Sequence, residues 1–435
     1  MENKHKRLLE WGQNLLILGL SLSAIVLISR STLYEGFGIL SNTKKEQQSV
    51  SDHLQTGEGS TLSVEPVCLA VQNEHGRYGV QYDSKTTHQL FEDKLGSLLR
   101  EALSGVKETM PSTKEQWQAV VQGSGSWIYY NFSTSLPLEN LPLWLGSDTA
   151  AKSLSGFAST FLLTNQDGTY LLYYYNEGTQ TYVACSLADG SGERFLTAIS
   201  DIPSNDAIFA FEDSKRFGVL NDNVLILPKV PVLAMYEVKN PIVLPDKVTQ
   251  EQIMRALSFN PNAVTTYNPV DGIVLKEGTG TLRMFNNGTI SYHGQESDPR
   301  FSVPENDVGA MIEQTQDLLM TLMDDRCGEA QPYLAAMETK ENNETVLTYE
   351  YRLNGAPVKL YSEGYAAQFT IQGGLIRDFT IHIRQYLATE EASLILPEPQ
   401  AAAAVKAKGT TGQSLRLAYL DTGEESRVAA NWILE

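Results

Sequence analysis

Residues 351–386 read YRLNGAPVKLYSEGYAAQFTIQGGLIRDFTIHIRQY, and they decide the predicted fold class. Two runs rich in β-branched and aromatic side chains, 366–371 and 375–383, flank Gln372-Gly373-Gly374. A short glycine-containing turn between two such runs is typical of a β-hairpin. The stretch therefore predicts antiparallel strands.

The residues before this hairpin add two strands and a long helix. The strands are predicted at 346–353 and 355–361. Residues 305–325 carry apolar side chains at the three- and four-residue spacing of a helix that packs on a sheet. A helix beside an antiparallel sheet predicts an α+β module at residues 296–435.

A similar order of elements occurs upstream. A helix predicted at 249–257 leads to a strand at 272–276 and then to a hairpin around Asn286-Asn287-Gly288. Both units thus run helix, strand, strand, glycine turn, strand. This weak internal repeat predicts a middle α+β module at residues 246–295 that resembles the C-terminal one.

The N-terminal half also predicts strands and helices. Residues 126–132 (SWIYYNF) form an aromatic strand, and runs on either side of Asn165-Gln166-Asp167-Gly168 form a hairpin. Asp83 or Ser84 is placed to cap a helix. These features predict an α+β domain at residues 64–228.

Prolines then interrupt the pattern and mark a domain boundary near 228–246; they are Pro228, Pro231, Pro241 and Pro245.

The overall charge excludes one class of partner. The 435 residues include 33 Lys+Arg and 52 Asp+Glu, which gives a formal net charge of −19. Binding to nucleic-acid phosphates requires clustered lysine and arginine, and no such cluster follows the first seven residues. We therefore expect no nucleic-acid partner.

The N-terminus combines a basic head with an apolar run. Residues 4–7 (KHKR) precede LLILGLSLSAIVLI at residues 15–28. Counted back to Gly12, the run reaches the roughly 17 residues that a helix needs to cross a bilayer. The positive-inside rule places the head in the cytoplasm. We expect a head and transmembrane helix at 1–30, a polar linker at 31–63, and the rest of a single-pass cell-membrane protein outside the cell.

A cleaved signal peptide is the alternative interpretation of this N-terminus. Ser29 and Ser31 are small residues of the kind found near a cleavage site. Arg30 lies inside that site, and the apolar run is slightly long for a signal peptide. An uncleaved anchor is therefore the favoured prediction.

Small residues in the predicted span suggest a place for contact with another membrane helix. They are Gly12, Gly19, Ser23 and Ala24. Small side chains allow two helices to approach closely in a membrane. The alternative is a generic span in which small residues are scattered.

The sequence lacks the usual motifs of catalysis and metal binding. Cys68, Cys185 and Cys327 lie more than a hundred residues apart and form no CxxC, so we expect three buried thiols. The histidines form no HExxH, and neither a GxSxG elbow nor a Walker A loop is present. We expect no enzyme, no cofactor and no metal site.

Aromatic residues are the more distinctive feature. Trp127, Tyr129 and Tyr130 follow one another in a strand in which successive side chains point to opposite faces, and Tyr174 belongs to a neighbouring strand. One interpretation is an exposed aromatic surface for a protein partner. The other is a sheet that helices cover on both faces.

Further segments complete a pattern with the stretch quoted first. They are SWIYYNFSTSLPLENLPLWLG (126–146), NDAIFAFE (205–212), ALSFNPNAVTTYNPVDGIVLKEGTGTLRMFNNGTISY (256–292), LPEPQAAAAVKAK (396–408) and SLRLAYLDTGEESRVAANWIL (414–434). With the basic head, span and linker, their order resembles the YycH/YycI family of membrane-tethered regulators in Gram-positive bacteria, and its larger YycH type in particular. The resemblance covers most of residues 64–434.

The resemblance implies a non-enzymatic function. Family members bind an essential sensor histidine kinase that controls cell-wall metabolism, and they act with a smaller YycI-like protein. Our leading hypothesis is therefore a membrane-anchored extracytoplasmic protein that binds and modulates such a kinase. The alternative is an extracytoplasmic module that binds peptides or wall fragments, or acts like a chaperone, without a kinase partner. That alternative predicts an open concave pocket lined by aromatic residues.

Overall fold

Antiparallel sheets make up most of the computed structural model. It describes residues 64–434 apart from 167, 188–191, 245, 296–297, 306, 341, 410–413 and 424–425. The described residues fall within one compact unit. Strands and helices are mixed along the chain, and this confirms the predicted α+β class.

The first sheet contains seven strands in the spatial order β2-β1-β4-β5-β6-β7-β3. Its strands are β1 (Cys68–Asn73), β2 (Gly76–Gln81), β3 (Val106–Ser112), β4 (Ser126–Pro137), β5 (Phe157–Gln166), β6 (Thr169–Asn176) and β7 (Thr181–Leu187). The helices of this part are α1 (Ser84–Leu90), which continues through a π-helical turn (Phe91–Leu95) into α2 (Gly96–Ser104), then α3 (Lys114–Gln122), α4 (Leu141–Trp144) and α5 (Gly192–Ile199).

Helices cover both faces of this sheet. The carboxylate of Asp83 accepts the backbone N–H of Thr86 at 3.0 Å and caps α1, as the sequence predicted. Leu95 and Leu99 from the α1–α2 segment are fully buried in the core of one face. Trp117 of α3 is buried against the other face. Helix α3 was missed in the sequence.

The start of α3 gives a small, testable effect. Thr113 and Gln116 form a capping box, in which each side chain bonds to the backbone N–H of the other residue. We expect Thr113→Ala to lower the free energy of unfolding by about 1 kcal/mol, measured by urea denaturation. Thr113→Ser keeps the hydroxyl and is the control. Equal losses in the two variants would contradict the assigned cap.

The second half contains a three-stranded sheet and an eleven-stranded sheet. A two-stranded ribbon, β8 (Ile208–Phe209) with β9 (Leu225–Ile226), precedes them, together with a 3₁₀ turn (Ala210–Asp213) and α6 (Ser214–Phe217). The later strands are β10 (Ala234–Lys239), β11 (Thr265–Tyr267), β12 (Gly272–Glu277), β13 (Gly280–Phe285), β14 (Thr289–Gly294), β15 (Gln331–Thr339), β16 (Thr345–Leu353), β17 (Ala356–Leu360), β18 (Ala367–Gln372), β19 (Leu375–His382), β20 (Gln385–Ala392), β21 (Leu415–Asp421), β22 (Arg427–Val428) and β23 (Ala430–Leu434). The later helices are α7 (Lys247–Ala256), α8 (Val308–Met323) and α9 (Glu398–Ala407), with 3₁₀ turns at Pro299–Phe301 and Asp324–Cys327.

The large sheet runs in the order β11-β12-β13-β14-β19-β18-β16-β17-β21-β23, with β15 paired to β16. The hairpin quoted first is confirmed, because β18 and β19 pair around Gly373 and Gly374. These glycines have φ values of +59° and +70°. Two successive positive φ values are typical of the type I′ turn, which suits glycine and matches the twist of the strands.

The two predicted C-terminal modules share this sheet. Strand β14 pairs with β19, so that Ser291 lies opposite Thr380. Hydrogen bonding therefore continues across the predicted boundary at residues 295 and 296. Residues 228–246, predicted as a boundary, contain β10, which pairs with β20 and β22 in the three-stranded sheet.

The first sheet packs on the large one through a common apolar core. One buried cluster includes Leu69 of β1 and Tyr351 of β16. Polar contacts reinforce this junction: the backbone N–H of Leu417 donates to the hydroxyl of Tyr82 at 2.9 Å. The backbone N–H of Ser84 also donates to the side chain of Asn354 at 2.9 Å.

Candidate interaction surfaces

The aromatic residues predicted as a possible partner surface are buried. Trp127 and Tyr130 are 0% exposed, Tyr129 is 1% exposed and Tyr174 is 3% exposed. A partner cannot reach rings at these positions without unfolding the sheet. The expectation of an outward-facing aromatic patch is corrected accordingly, and the covered sheet is the interpretation that fits.

Two layers of packing explain this burial. On one face, the ring of Tyr129 lies edge-on to Trp117 at 6.3 Å and to Phe209 at 5.1 Å. On the other face, Tyr130 lies edge-on to Phe91 at 6.3 Å, and its hydroxyl donates to a helix carbonyl. Burial raises the pKa of Tyr174 to about 12.

The predicted membrane-contact residues lie outside the described residues. Gly12, Gly19, Ser23 and Ala24 belong to residues 1–63, of whose structure nothing is described. Within the described part of the chain, every helix is too short or too polar to span a membrane. The transmembrane anchor therefore stays a prediction from sequence.

The three cysteines are buried free thiols, as the sequence predicted. Burial raises the pKa of Cys327 to about 11 and that of Cys185 to about 12. A thiol reacts as its thiolate, so neither side chain is set up as a nucleophile at neutral pH. Among the residues described, no three His, Cys, Asp or Glu side chains are grouped to hold a metal ion.

An exposed apolar ridge lies where β10 begins and β20 ends. The backbone N–H of Ser393 donates to the carbonyl of Leu233 at 2.7 Å, so the antiparallel pairing continues beyond the strands. Continuing that register places Val232 opposite Leu394. These side chains are 81% and 98% exposed, and Leu396 is also exposed. Neighbouring exposed apolar side chains of this kind occur at protein–protein contacts.

A small open cleft of about 320 Å³ lies beside helix α1. Its lining contains Lys94 and Asp201, whose charged groups lie 2.7 Å apart. Because these two charges face each other, neither is left to attract a ligand. Asp93 is the other charged residue of the lining, so a single carboxylate is left and this cleft offers little specific recognition.

A larger groove of about 440 Å³ opens between β4 and β15. One wall is a bulge of β4: Asn131 pairs with Thr160 and Leu136 with Ala158, so that residues 132–135 lie opposite Ser159 alone. The other wall is residues 335–337 of β15, which also contains a bulge. Phe157 and Glu177 complete the groove.

One carboxylate dominates the chemistry of this groove, which we call the β4–β15 groove. Glu177 is the charged residue in its lining. The hydroxyl of Ser159 donates to Glu177 Oε1 at 2.6 Å, and the hydroxyl of Ser135 donates to Oε2. The backbone N–H of Glu177 donates to the carbonyl of Phe157 at 2.9 Å. The carboxylate is thus held in place while still able to accept further hydrogen bonds.

The groove was missed in the sequence. Its walls come from segments about two hundred residues apart, and β15 was not predicted. Residues 331–339 (QPYLAAMET) include a proline and two adjacent alanines, which weakens the alternation that indicates a strand. No local signal showed that this segment meets residues 132–135.

Comparison with known proteins identifies the fold. No protein-family model and no curated protein sequence matches the chain. Among solved structures, YycH from Bacillus subtilis is similar, with a TM-score of 0.55 and 11% sequence identity. The similarity covers 87% of this chain and 95% of that one. At this identity the likeness concerns the fold, and the chain has the three-dimensional fold of YycH from Bacillus subtilis.

Proposed function

We propose that the chain is a membrane-anchored extracytoplasmic regulatory protein. It binds a two-component sensor histidine kinase that controls cell-wall metabolism, acts with a YycI-like protein, and biases the kinase between signalling states. It binds no nucleic acid and carries out no catalysis of its own. The single observation that carries the proposal is the shared fold with YycH over 87% of the chain.

Two features of the sequence support the proposed location. The basic head at residues 4–7 and the apolar run at 15–28 together favour a single-pass anchor with a cytoplasmic N-terminus. The order of segments that resembles the YycH/YycI family continues through the ectodomain.

Recovery of the kinase from membranes tests the proposal. We expect a tagged full chain, solubilised in mild detergent, to copurify with a sensor histidine kinase identified by mass spectrometry. A chain without residues 1–30, given a cleavable secretion signal, should recover at least several-fold less kinase. If neither form recovers a kinase, the proposed function is wrong.

Crosslinking within the predicted span tests the membrane contact. A photo-crosslinking residue at Ser23 lies on the face of Gly19 in the predicted helix, whereas one at Ser21 lies on the opposite face. We expect a crosslinked kinase at position 23 and little at position 21. Equal crosslinking at the two serines would contradict a specific helix–helix contact.

A peptide-binding module without a kinase partner is the second candidate function. The β4–β15 groove favours it, because an open groove of about 440 Å³ has room for part of a peptide chain. Phe157 is the aromatic residue in the groove lining. The groove therefore differs from the pocket lined by several aromatic residues that this function predicted. Tight peptide binding in the absence of any recovered kinase would favour this second function.

A further inference from the structure

The β4–β15 groove exposes the free edge of a strand. Strand β15 pairs with β16 on one side. Its other side faces the bulge at residues 132–135, and among the described residues no backbone hydrogen bond joins the two. One side-chain bond crosses between them, from the hydroxyl of Thr134 to the carbonyl of Ala335, and it is long at 3.4 Å. Apart from the carbonyl of Ala335, which Thr134 occupies, the edge is therefore available to another strand.

The direction of the backbone groups supports this conclusion. The carbonyl of Ala335 points into the groove, as its bond to Thr134 shows. At the far end of β15, the backbone N–H of Lys340 donates to the carbonyl of Glu344. In an antiparallel ladder, successive residues point their N–H and C=O groups alternately toward and away from the partner strand. Lys340 points toward the partner, so Met337, three residues earlier, points its N–H and C=O away from β16. Unpaired edge groups of this kind bind an added strand.

The side chains leave room for such a strand. Ala335 and Ala336, which belong to the groove lining, are among the smallest side chains. At one end, Arg352 closes the gap: its guanidinium donates to the carbonyl of Phe132 at 3.3 Å and lies over the ring of Tyr333. An extended segment can therefore approach the edge at residues 335–337.

The charge of the groove selects among ligands. Glu177 brings a negative charge, and the described residues of the groove lining include no lysine or arginine. Nucleic acids and anionic polymers are disfavoured for that reason. A sugar polymer would lack the backbone groups that a strand edge recognises. A peptide with a lysine or arginine side chain satisfies both the edge and the carboxylate.

We propose that the β4–β15 groove binds an extended peptide segment, which adds as a strand to the free edge of β15 and places a basic side chain on Glu177. Such binding goes beyond the proposed regulation of a kinase, because the groove can bind a peptide whether or not a kinase is the partner. The class of ligand is a peptide of alternating small and basic residues, supplied by a partner protein.

Peptide binding to the full chain in detergent tests this proposal. The probe is a fluorescein-labelled peptide of alternating threonine and lysine, TKTKTKT, followed by fluorescence anisotropy. We expect saturable binding that weakens about tenfold in Glu177→Gln, the usual effect of losing a hydrogen bond to a charged group. Glu108→Gln removes the same charge from an exposed position of β3 and should leave the affinity unchanged.

Two further measurements separate strand addition from general attraction to an acidic protein. We expect Glu177→Lys to reverse the preference, so that TETETET binds better than TKTKTKT. A TKTKTKT peptide with alternate amides N-methylated should lose binding, because it cannot pair with the edge of β15. No binding of TKTKTKT at about 1 mM, equal effects of Glu177→Gln and Glu108→Gln, or unchanged binding of the N-methylated peptide would each overturn the proposal.

Discussion

Replacing Asp421 with asparagine is expected to lower the free energy of unfolding by about 3–5 kcal/mol, the usual cost of breaking a buried ion pair. The side chain of Asp421 is 0% exposed and accepts two hydrogen bonds from Arg384, at 2.6 and 2.9 Å. The hydroxyl of Tyr386 donates at 2.7 Å and the backbone N–H of Gly423 at 2.8 Å. Asparagine removes the negative charge and leaves the guanidinium of Arg384 largely buried without its counter-ion.

The position of this ion pair explains why the effect should extend across the fold. Asp421 ends β21 of the large sheet, whereas Tyr386 belongs to β20 of the three-stranded sheet. The carbonyl of Asp421 also accepts the backbone N–H of Tyr361 at 2.9 Å. One carboxylate therefore joins elements of two sheets, and its loss should loosen both.

An exposed ion pair of the same chemistry provides the control. Arg427 and Glu391 lie 3.0 Å apart, but more than half of each side chain is exposed. We expect Glu391→Gln to change the free energy of unfolding by less than about 1 kcal/mol. Urea denaturation of the two variants gives the comparison, and similar losses would show that burial does not govern the contribution of Asp421.

Local patterns were enough to predict much of the fold. The glycine turns at 286–288 and 372–374 predicted hairpins that the structure contains, because the backbone conformation of a tight turn depends on the residues of the turn itself. Helix α8 (Val308–Met323) lies within the helix predicted at residues 305–325, because its apolar spacing is a local signal. The sequence missed β3, β15 and β20, which lie at or near sheet edges and carry many exposed polar side chains.

Exposure and binding sites were harder to predict, because they depend on contacts between distant segments. Tyr129 is covered by Phe209, eighty residues later in the chain, and no pattern within SWIYYNF shows this. The β4–β15 groove likewise exists because two bulged strands meet. Local sequence patterns were therefore enough to predict many of the strands. The free edge of β15 could be found only in the structure, because it depends on which strands pair with one another.

The second large effect concerns Glu398, the first residue of α9. Its side chain is buried, and Oε2 accepts the backbone N–H of Leu227 at 3.0 Å. Burial raises the pKa of this carboxyl from its usual 4.5 to about 8, and the hydrogen bond from Leu227 opposes that rise only in part. The start of a helix also favours a carboxylate, by about 1 kcal/mol, but burial has the larger effect.

The sign of the pH dependence follows from proton binding. Between about pH 4.5 and pH 8 the folded chain keeps the Glu398 proton, whereas the unfolded chain has lost it. Stability from this group is therefore fully present below pH 4.5 and is lost as the pH rises through about 8. A shift of this size corresponds to a loss on the order of 5 kcal/mol. Cys68 and Tyr82, which lie nearby, have pKa values that burial raises further above neutrality, so they stay uncharged throughout.

Glu398→Gln is the decisive variant, because glutamine resembles the protonated carboxyl and still accepts the N–H of Leu227. We expect the variant and the natural chain to have similar free energies of unfolding near about pH 5, and the variant to be more stable by several kcal/mol near about pH 9. Subtracting the two curves removes the contributions of all other groups. Glu390→Gln, at an exposed position, should show no such pH-dependent difference from the natural chain. A constant difference between Glu398→Gln and the natural chain at every pH would mean that Glu398 is already charged in the folded protein, and that the N–H of Leu227 outweighs burial.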